Sequence, residues 1–311
     1  MSLYLVTGGA GFIGSYLVRF LLDRDQEVRV LDNFSTGKRE NLTEVERRID
    51  VVEGDLNDPA ALSRAVSGVD YVFHEAAIPS VPRSVDEPVE SHEANATGTL
   101  SLLCASKEAG VRRLVYASSS SVYGANPELP KTETMRTEPL SPYAVAKLAA
   151  EHYCTVFHKL YGLETVSLRY FNVFGPRQDP NSPYSGVVSR FIDAILSSTA
   201  PTIHGKGDQT RDFTYVENVA QANFAACHAT SAAGGVYNIG CQTRISVNEL
   251  WTTMAELTSS KLEPSYTSVR SGDVPHSLAD ISAARRDLRF DPQIDVREGL
   301  KRTLEFYVPV T

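Results

Sequence analysis

The sequence predicts an α/β protein: a doubly wound parallel sheet, followed by a smaller mixed α+β C-terminal domain. Three observations carry that expectation. Through the first 120 residues short apolar runs alternate with helix-spaced segments, as strands buried on both faces do between crossover helices. A glycine-rich turn stands between the first apolar run and the first helical segment. After Phe174 the texture changes: Gly175-Pro176 and Asp179-Pro180-Asn181-Ser182-Pro183 interrupt both helix and ladder.

In chain order, Leu3–Val6, Glu27–Leu31, Asp50–Glu53, Tyr71–Phe73 and Leu114–Ala117 read as strands. Ile13–Arg24, Pro59–Val66 and Ala94–Glu108 read as the helices between them. Right-handed crossovers then place helices on both faces of one sheet. A long helix follows over Tyr143–Tyr161, stopped by Gly162, and then a strand over Thr165–Tyr170. The remainder reads as a helix near Val187–Ser197, a strand near Val236–Gly240, and helices near Val247–Thr258 and Ser282–Leu288. A soft boundary falls near residue 173.

A length of 311 residues allows two domains or one large α/β unit. With 42% hydrophobic and 22% charged residues the chain has enough apolar matter for a sizeable core, which excludes general disorder. A net charge of −8 argues against nucleic-acid binding. It does not exclude an anionic small ligand, because backbone amides hold phosphates whatever the net charge. Cys104, Cys154, Cys227 and Cys241 form no C-x-x-C pair, so reduced thiols in the cytoplasm are expected. Met1-Ser2 runs directly into the first strand, with no signal peptide. No apolar run approaches the roughly 18 residues of a membrane helix, so no membrane partner is expected.

Gly8, Gly11 and Gly14 form G-x-x-G-x-x-G at the end of the first strand and the start of the first helix. The first two permit a tight turn and close approach to a pyrophosphate; the third lets helix and strand pack. The helix N-terminus adds free N–H donors and partial positive charge. Asp32 lies 18 residues beyond Gly14, at the next strand end. A carboxylate there bonds ribose hydroxyls and repels a 2′-phosphate, favouring NAD over NADP. Lys38 and Arg39 are the counter-argument. Asp55-Leu56 fits the adenine edge; for Asp55 an N-cap or turn role is the alternative.

Ser141-Pro142-Tyr143-Ala144-Val145-Ala146-Lys147 places a tyrosine and a lysine four apart on one helix face. A phenol with a pKa of about 10 is a poor base at neutral pH. A nearby ammonium and a cationic nicotinamide ring both favour its phenolate, which can then exchange a proton with a sugar hydroxyl. Taken alone the pair is as well explained as two surface helix residues.

Together, T-G-G-x-G-x-x-G, Ala117-Ser118-Ser119-Ser120-Ser121-Val122-Tyr123-Gly124, S-P-Y-x-x-x-K and Leu168-Arg169-Tyr170-Phe171-Asn172-Val173-Phe174-Gly175-Pro176-Arg177 resemble the extended short-chain dehydrogenase/reductase family, essentially end to end. Within it the chain is most similar to the UDP-sugar 4-epimerases. The resemblance implies a NAD-binding Rossmann domain over 1–173, with segments about 210–240 returning to it, and a mainly UDP-sugar-binding domain over 174–311. It implies bound NAD contacted by Gly8, Gly11, Phe12, Ile13, Gly14, Asp32, Asn33, Ser35, Thr36, Gly37, Asp55, Leu56, Ala76, Ala77, Asn95, Ala117, Tyr143, Lys147, Tyr170 and Val173. Catalysis falls to Tyr143, Lys147 and Ser119, with Ser118 and Ser120 as adjoining alternatives for the hydroxyl. The substrate set is Ser80, Arg83, Ser119, Ser120, Tyr143, Asn172, Val187, Ile203, Arg211, Arg270, Asp273 and Ser277. Arg211 and Arg270 would meet the diphosphate, where guanidinium geometry suits phosphate, and Asp273 the uridine ribose.

The scaffold also serves dehydratases and decarboxylases. Ser120 and Ser121 stand where the dehydratases carry an acidic pair and the decarboxylases a Glu, so simple 4-epimerisation is favoured. Ser277 takes the position where a bulky Tyr restricts the pocket, and Ala77–Ser84 resembles the branch preferring N-acetylated sugars. UDP-GlcNAc and UDP-GalNAc, with UDP-Glc and UDP-Gal also accepted, are the expected substrates. UDP-glucuronate chemistry (4-epimerase or decarboxylase) and a non-catalytic NAD-binding regulatory relative are the alternatives. The small and apolar surface of the Tyr143–Tyr161 helix, paired with that near Ala94–Glu108, implies a homodimer through a four-helix bundle. No metal is expected: His74-Glu75 and His92-Glu93 lack the second His of H-E-x-x-H, and His152 and His158 are six apart.

Overall fold

The computed structural model describes residues 1–179, 186–268 and 275–308. Its first half alternates strand and helix: β1 (Leu3–Thr7), α1 (Phe12–Leu22), β2 (Glu27–Asp32), β3 (Ile49–Glu53), α2 (Pro59–Val66) and β4 (Tyr71–His74). Then come α3 (Val81–Asp86), α4 (Pro88–His92), α5 (Gly98–Glu108), β5 (Arg113–Ser119), α6 (Pro142–Tyr161) and β6 (Glu164–Tyr170). The second half holds β7 (Val173–Phe174), α7 (Val187–Ser197), β8 (Thr202–His204), β9 (Thr210–Arg211), β10 (Thr214–Tyr215), α8 (Val216–His228) and β11 (Val236–Ile239). It ends with β12 (Ile245–Ser246), α9 (Val247–Thr258), β13 (Ser265–Thr267), α10 (Ser282–Leu288) and α11 (Val296–Tyr307).

Seven strands form one parallel sheet in the order β11-β6-β5-β4-β1-β2-β3. The expected doubly wound sheet is therefore present, and β11 adds a strand from the later part of the chain. Its neighbours carry Val, Leu and Phe on both faces because both faces are covered. Leu17, Leu21, Val219 and Ala226 of α1 and α8 pack on one side. Leu62, Leu102, Cys154 and Phe157 of α2, α5 and α6 pack on the other. A third core, built on Phe174, Phe191, Trp251 and Leu300, belongs to the C-terminal lobe. Strand order runs outward in opposite directions from β1 and β4, which opens a crevice at the strands' carboxyl ends.

The expected helix over Ala94–Glu108 is built differently. Pro82 and Pro88 restart the chain as α3 and α4, and a π-helical turn over Glu93–Thr97 leads into α5. Helices α8 and α11 have no counterpart in the sequence reading. Their buried faces include Asn218, Asn223, Gly299 and Thr303, which blur an apolar period. Helix α6 begins as its sequence dictates: Ser141 accepts from the Ala144 amide, Pro142 fills the first turn, and Gly162 at φ 74° closes the end. Among the described residues no helix is long and apolar enough to cross a membrane.

Candidate active site

The crevice is a cavity of about 1060 Å³ running from the glycine turn, past the ends of β4, β5 and β6, to the C-terminal lobe. Its floor at β1 admits nothing larger than glycine at two points. A Cβ on Gly14 would lie 2.1 Å from the Gly8 carbonyl oxygen, and one on Gly8, at φ +67°, 2.7 Å from the Ala76 backbone. Helix α1 therefore starts directly above the turn with its first N–H groups unmasked. That is the geometry of a pyrophosphate cradle.

Asp32 is buried at the end of β2 and accepts from the Ala10 and Phe34 amides, both at 2.8 Å. Those bonds fix the carboxylate at the cavity wall, while burial raises its pKa. The cations that argued for NADP are otherwise engaged. Lys38 pairs with Asp179 at 3.0 Å. Arg39 pairs with Glu53 at 2.5 Å and stacks on Phe34. Asn33 donates to Asp55 at 2.6 Å, linking the two acidic strand ends.

Tyr143, in the first turn of α6, reaches the cavity beside Ser119 at the end of β5. Burial pushes its phenol up to about 12, and the Ser119 hydroxyl opposes that rise. Lys147, one turn on, is buried beneath the wall; its ammonium donates to the Ala117 carbonyl at 2.8 Å and lies 5.9 Å from the Tyr143 ring centroid. Burial lowers it to about 8. The serine run resolves by partner. Ser118 turns inward and donates to Glu151 at 2.8 Å, so Ser119 is the hydroxyl left at the tyrosine. Ser121 donates to Ser119 at 2.9 Å.

Beneath this pair lies a buried polar network that the sequence reading did not include. Glu151 takes Arg169 at 2.5 and 3.0 Å, and Arg169 reaches the Tyr123 hydroxyl at 2.9 Å. Its sequence signal was the glutamate four residues after Lys147, on the same face of α6. Glu75 was also missed as a site residue. It lines the cavity after β4 and accepts from the Tyr170 hydroxyl at 2.8 Å. His74 is held between Thr7 (2.7 Å) and Thr99 (2.8 Å), and burial lowers it to about 3, so it is neutral. Among the described residues no group of His, Cys, Asp or Glu is placed to hold a metal.

Most of the expected cofactor residues line the cavity: Gly8, Gly11, Phe12, Ile13, Gly14, Asp32, Asn33, Ser35, Thr36, Gly37, Asp55, Leu56, Ala76, Ala77, Tyr143, Tyr170 and Val173. Asn95 and Ala117 stand behind the wall. Asn95 is buried and bonds both backbone groups of Ile78. At the far end Arg211 and Ser277 line the same cavity, with Ser277 N–H bonded to the Thr210 carbonyl at 3.0 Å and Arg211 donating to the Pro275 carbonyl at 3.1 Å. Asp212 anchors this corner by accepting from the Cys241, Gln242 and Ala279 amides. Ser120 and Asn172 line it too.

Two substrate expectations, Ile203 and Val187, need correction in placement, whereas Ser80 and Arg83 line the cavity. Ile203 is 1% exposed inside the C-terminal core, and Val187 packs against that core, so neither side chain lines the cavity. Ser80 spends its hydroxyl capping α3 through the Arg83 amide at 3.0 Å. Arg83 reaches the rim but is held by Glu87 (2.9 Å) and Glu90 (2.8 Å). Arg270 and Asp273 lie outside the described residues.

Known proteins share this arrangement. Residues 4–240 match the model of the NAD dependent epimerase/dehydratase family. The UDP-glucose 4-epimerase of Mycolicibacterium smegmatis is 39% identical over 311 residues, covering 97% of each chain. The solved UDP-N-acetylglucosamine 4-epimerase from Methanobrevibacter ruminantium M1, in complex with UDP-N-acetylmuramic acid, superposes with a TM-score of 0.94 at 41% identity, covering 99% of this chain and 98% of that one. The UDP-glucose 4-epimerase from Thermotoga maritima, with UDP-glucose, gives 0.93 at 38% identity, covering 98% of both. With a glycine cradle, an acidic strand end and a Tyr–Lys–Ser cluster in one crevice, the chain belongs to the NAD dependent epimerase/dehydratase family.

Proposed function

We propose that this chain is a NAD-dependent UDP-sugar 4-epimerase whose preferred pair is UDP-GlcNAc and UDP-GalNAc, with UDP-Glc and UDP-Gal also accepted. One observation carries the reading: Tyr143, beside Ser119 and backed by Lys147, faces a cavity continuous from the glycine turn to Arg211 and Ser277.

The residues fit NAD. Gly8 and Gly14 leave backbone room that any Cβ would fill, and Asp32 is pinned where ribose hydroxyls would reach it. NAD, when bound, would supply the hydride acceptor and donor for sugar C4 and a positive charge favouring the phenolate. Tyr143 takes the proton of the 4-hydroxyl and later returns it. Lys147, fixed on the Ala117 carbonyl, supplies positive charge under the phenolate. Ser119, itself held by the Ser121 hydroxyl, orients the reacting oxygen. Arg211 holds the diphosphate while the 4-keto sugar turns over, so that the hydride returns to the opposite face of C4 and Tyr143 returns the proton to the oxygen. No carboxylate stands at Ser120 or Ser121 to drive elimination or decarboxylation.

Ser277 supports the N-acetyl preference, because a small side chain there leaves volume beside the sugar. Incubating the protein with UDP-GlcNAc, UDP-Glc and UDP-glucuronate and separating the products tests the whole reading. Turnover of the acetylated pair above the others is expected; turnover of the uronate alone, or NAD binding without any turnover, refutes it. Ser277→Tyr is expected to remove activity on the acetylated pair at least tenfold more than on UDP-Glc; full retention defeats the size argument.

A homodimer is part of the proposal. Val145, Tyr153, Val156 and Leu160 form an exposed apolar stripe on α6, beside exposed Val81, Val85 and Val89. A second copy would cover it through the helices near α5 and α6; sedimentation as a monomer refutes this. The four cysteines are unpaired, which suits the cytoplasm.

A further inference from the structure

Asn238 of β11 is fully buried and does not line the cavity, yet its side chain joins elements that do. Arg169 of β6, in register with it, donates to the Tyr123 hydroxyl at 2.9 Å, and that hydroxyl donates to Asn238 Oδ1 at 2.7 Å. The direction is forced. A guanidinium only donates, so the Tyr123 oxygen receives and its own proton must pass on. Asn238 therefore turns its carboxamide oxygen to Tyr123 and both amide protons away. Its Nδ2 donates to the Lys131 carbonyl at 2.8 Å and to the Asp280 carbonyl at 3.2 Å. Its backbone N–H goes to Glu133 at 2.8 Å. Lys131 and Glu133 belong to the loop that runs from Ser119 at the end of β5 to the start of α6. Asp280 lies three residues after Ser277. Loop and segment are also bonded to each other: the Lys131 N–H meets the Leu278 carbonyl at 2.7 Å, and the Asp280 N–H meets the Lys131 carbonyl at 2.8 Å. Lys131 and Ser277 both line the cavity.

We propose that Asn238 is a positioning residue for sugar selectivity: its carboxamide, oriented from Arg169 through Tyr123, ties the loop between Ser119 and Tyr143 to the segment that carries Ser277 and fixes both against the sheet. The inference deepens the epimerase reading and rests on it in treating Ser277 as part of the sugar pocket. Asn238, Tyr123 and Arg169 are all buried, so water does not compete for these bonds. Without the Tyr123 hydroxyl the carboxamide loses the donor that sets its orientation. Without Asn238 the Asp280 carbonyl loses its bond to the sheet. In either case Asp212 still holds the Ala279 amide and Thr210 still holds the Ser277 amide, so the segment shifts and does not unravel. A shift there changes the room beside the sugar. The UDP part is common to every sugar tested and cancels in their comparison.

The test is calorimetric titration of UDP-GlcNAc, UDP-Glc and UDP, all in a Tyr143→Phe background that leaves the sugars unconverted. Tyr123→Phe and Asn238→Leu are each compared with the parent. The quantity read is the ratio of UDP-GlcNAc to UDP-Glc affinity. Each variant is expected to lower that ratio at least about fivefold, the worth of one hydrogen bond. A merely structural role lowers the melting temperature and weakens all three ligands together, leaving the ratio where it was. An unchanged or raised ratio in Tyr123→Phe, or a parent that binds the two sugars equally, overturns the proposal. Tyr123→Phe loses a single oxygen and decides the matter if Asn238→Leu does not fold. Turnover is followed in parallel with Tyr143 intact. Turnover with an unmoved ratio defeats this proposal and leaves the epimerase reading standing; a lowered ratio in a protein that turns over neither sugar does the reverse.

Discussion

Glu151→Gln deletes one charge from a pair whose side chains are 4% and 5% exposed, and its cost follows from the donors left behind. In the native protein two carboxylate oxygens receive Arg169 Nη2 at 2.5 Å, Arg169 Nε at 3.0 Å and the Ser118 hydroxyl at 2.8 Å. A glutamine offers one oxygen and turns an NH2 group toward the remaining donors. Arg169 stays charged with Tyr123, a carbonyl and at most the single glutamine oxygen as partners. Breaking one side of a buried pair costs about 3–5 kcal/mol. At about 2 °C per kcal/mol for a chain of this size, the melting temperature falls by about 6–10 °C. Replacing both members, Glu151→Leu with Arg169→Met, removes the desolvation of both ions and leaves only Ser118 and Tyr123 short of partners, about 2 kcal/mol. Denaturant melts of the wild type, Glu151→Leu, Arg169→Met and the double variant, with Glu151→Gln alongside, at one fixed NAD concentration, give the cycle. A loss below about 1 kcal/mol for Glu151→Gln, or a double variant as unstable as the summed singles, refutes the reasoning.

Tyr143→Phe is expected to lower kcat by about 10²–10⁴-fold while calorimetry shows NAD and UDP still binding; near-normal turnover removes the tyrosine from the chemistry. Gly14→Ala puts a methyl 2.1 Å from the Gly8 carbonyl, so α1 must shift away from the turn. NAD affinity, measured by titration calorimetry, is expected to fall at least about tenfold, equivalent to about 1.4 kcal/mol; unchanged affinity argues against a cradle there. Asp212 is raised by burial from 3.8 to about 6. The folded state therefore holds its proton longer than the unfolded state, and this group's stabilising contribution is complete below pH 3.8 and lost as pH rises through about 6. Asp212→Asn removes that slope, yet it is expected to lower stability by about 1–3 kcal/mol and weaken UDP binding, since one amide oxygen cannot serve three backbone N–H groups. A stability–pH curve unchanged between pH 4 and 6 refutes the assignment.

The parallel sheet was readable because strands buried on both faces are continuous apolar runs, and the cradle because only glycine admits the Gly8–Gly14 contact. Other parts depended on residues far apart in sequence. Four successive serines carry no periodicity, and Ser118 was separated from Ser119 only by Glu151, 33 residues onward. Arg83 lines the cavity rim, but its ion network with Glu87 and Glu90 could not be read from their spacing alone. Ile203 sits in a three-residue strand whose partner, β13, lies some sixty residues away, so its burial had no local signature. Helices α8 and α11 place asparagine, glycine and threonine on buried faces, which lowers the apolar contrast that marks a helix.

The division into a cofactor lobe and a substrate lobe obscures how the site is joined. The chain leaves β6 through Asn172, which adopts φ 33° and sends its amide to the Asp212 carbonyl at 3.0 Å. Asp212 then grips the turn after β11 at Cys241 and Gln242 and the segment at Ala279, while Thr210 and Arg211 hold the backbone at Pro275 and Ser277. Each of these is a bond to backbone, so the position of Ser277 relative to Tyr143 is set through the sheet and not through the C-terminal core. A sugar reaching both residues is thus measured against one rigid frame. The same logic disposes of the net charge of −8. On the proposed reading, diphosphates would meet the donors of the α1 turn and Arg211, whose fields act over a few ångströms, whereas the surface carboxylates lie in water, where salt screens them beyond about 8–10 Å.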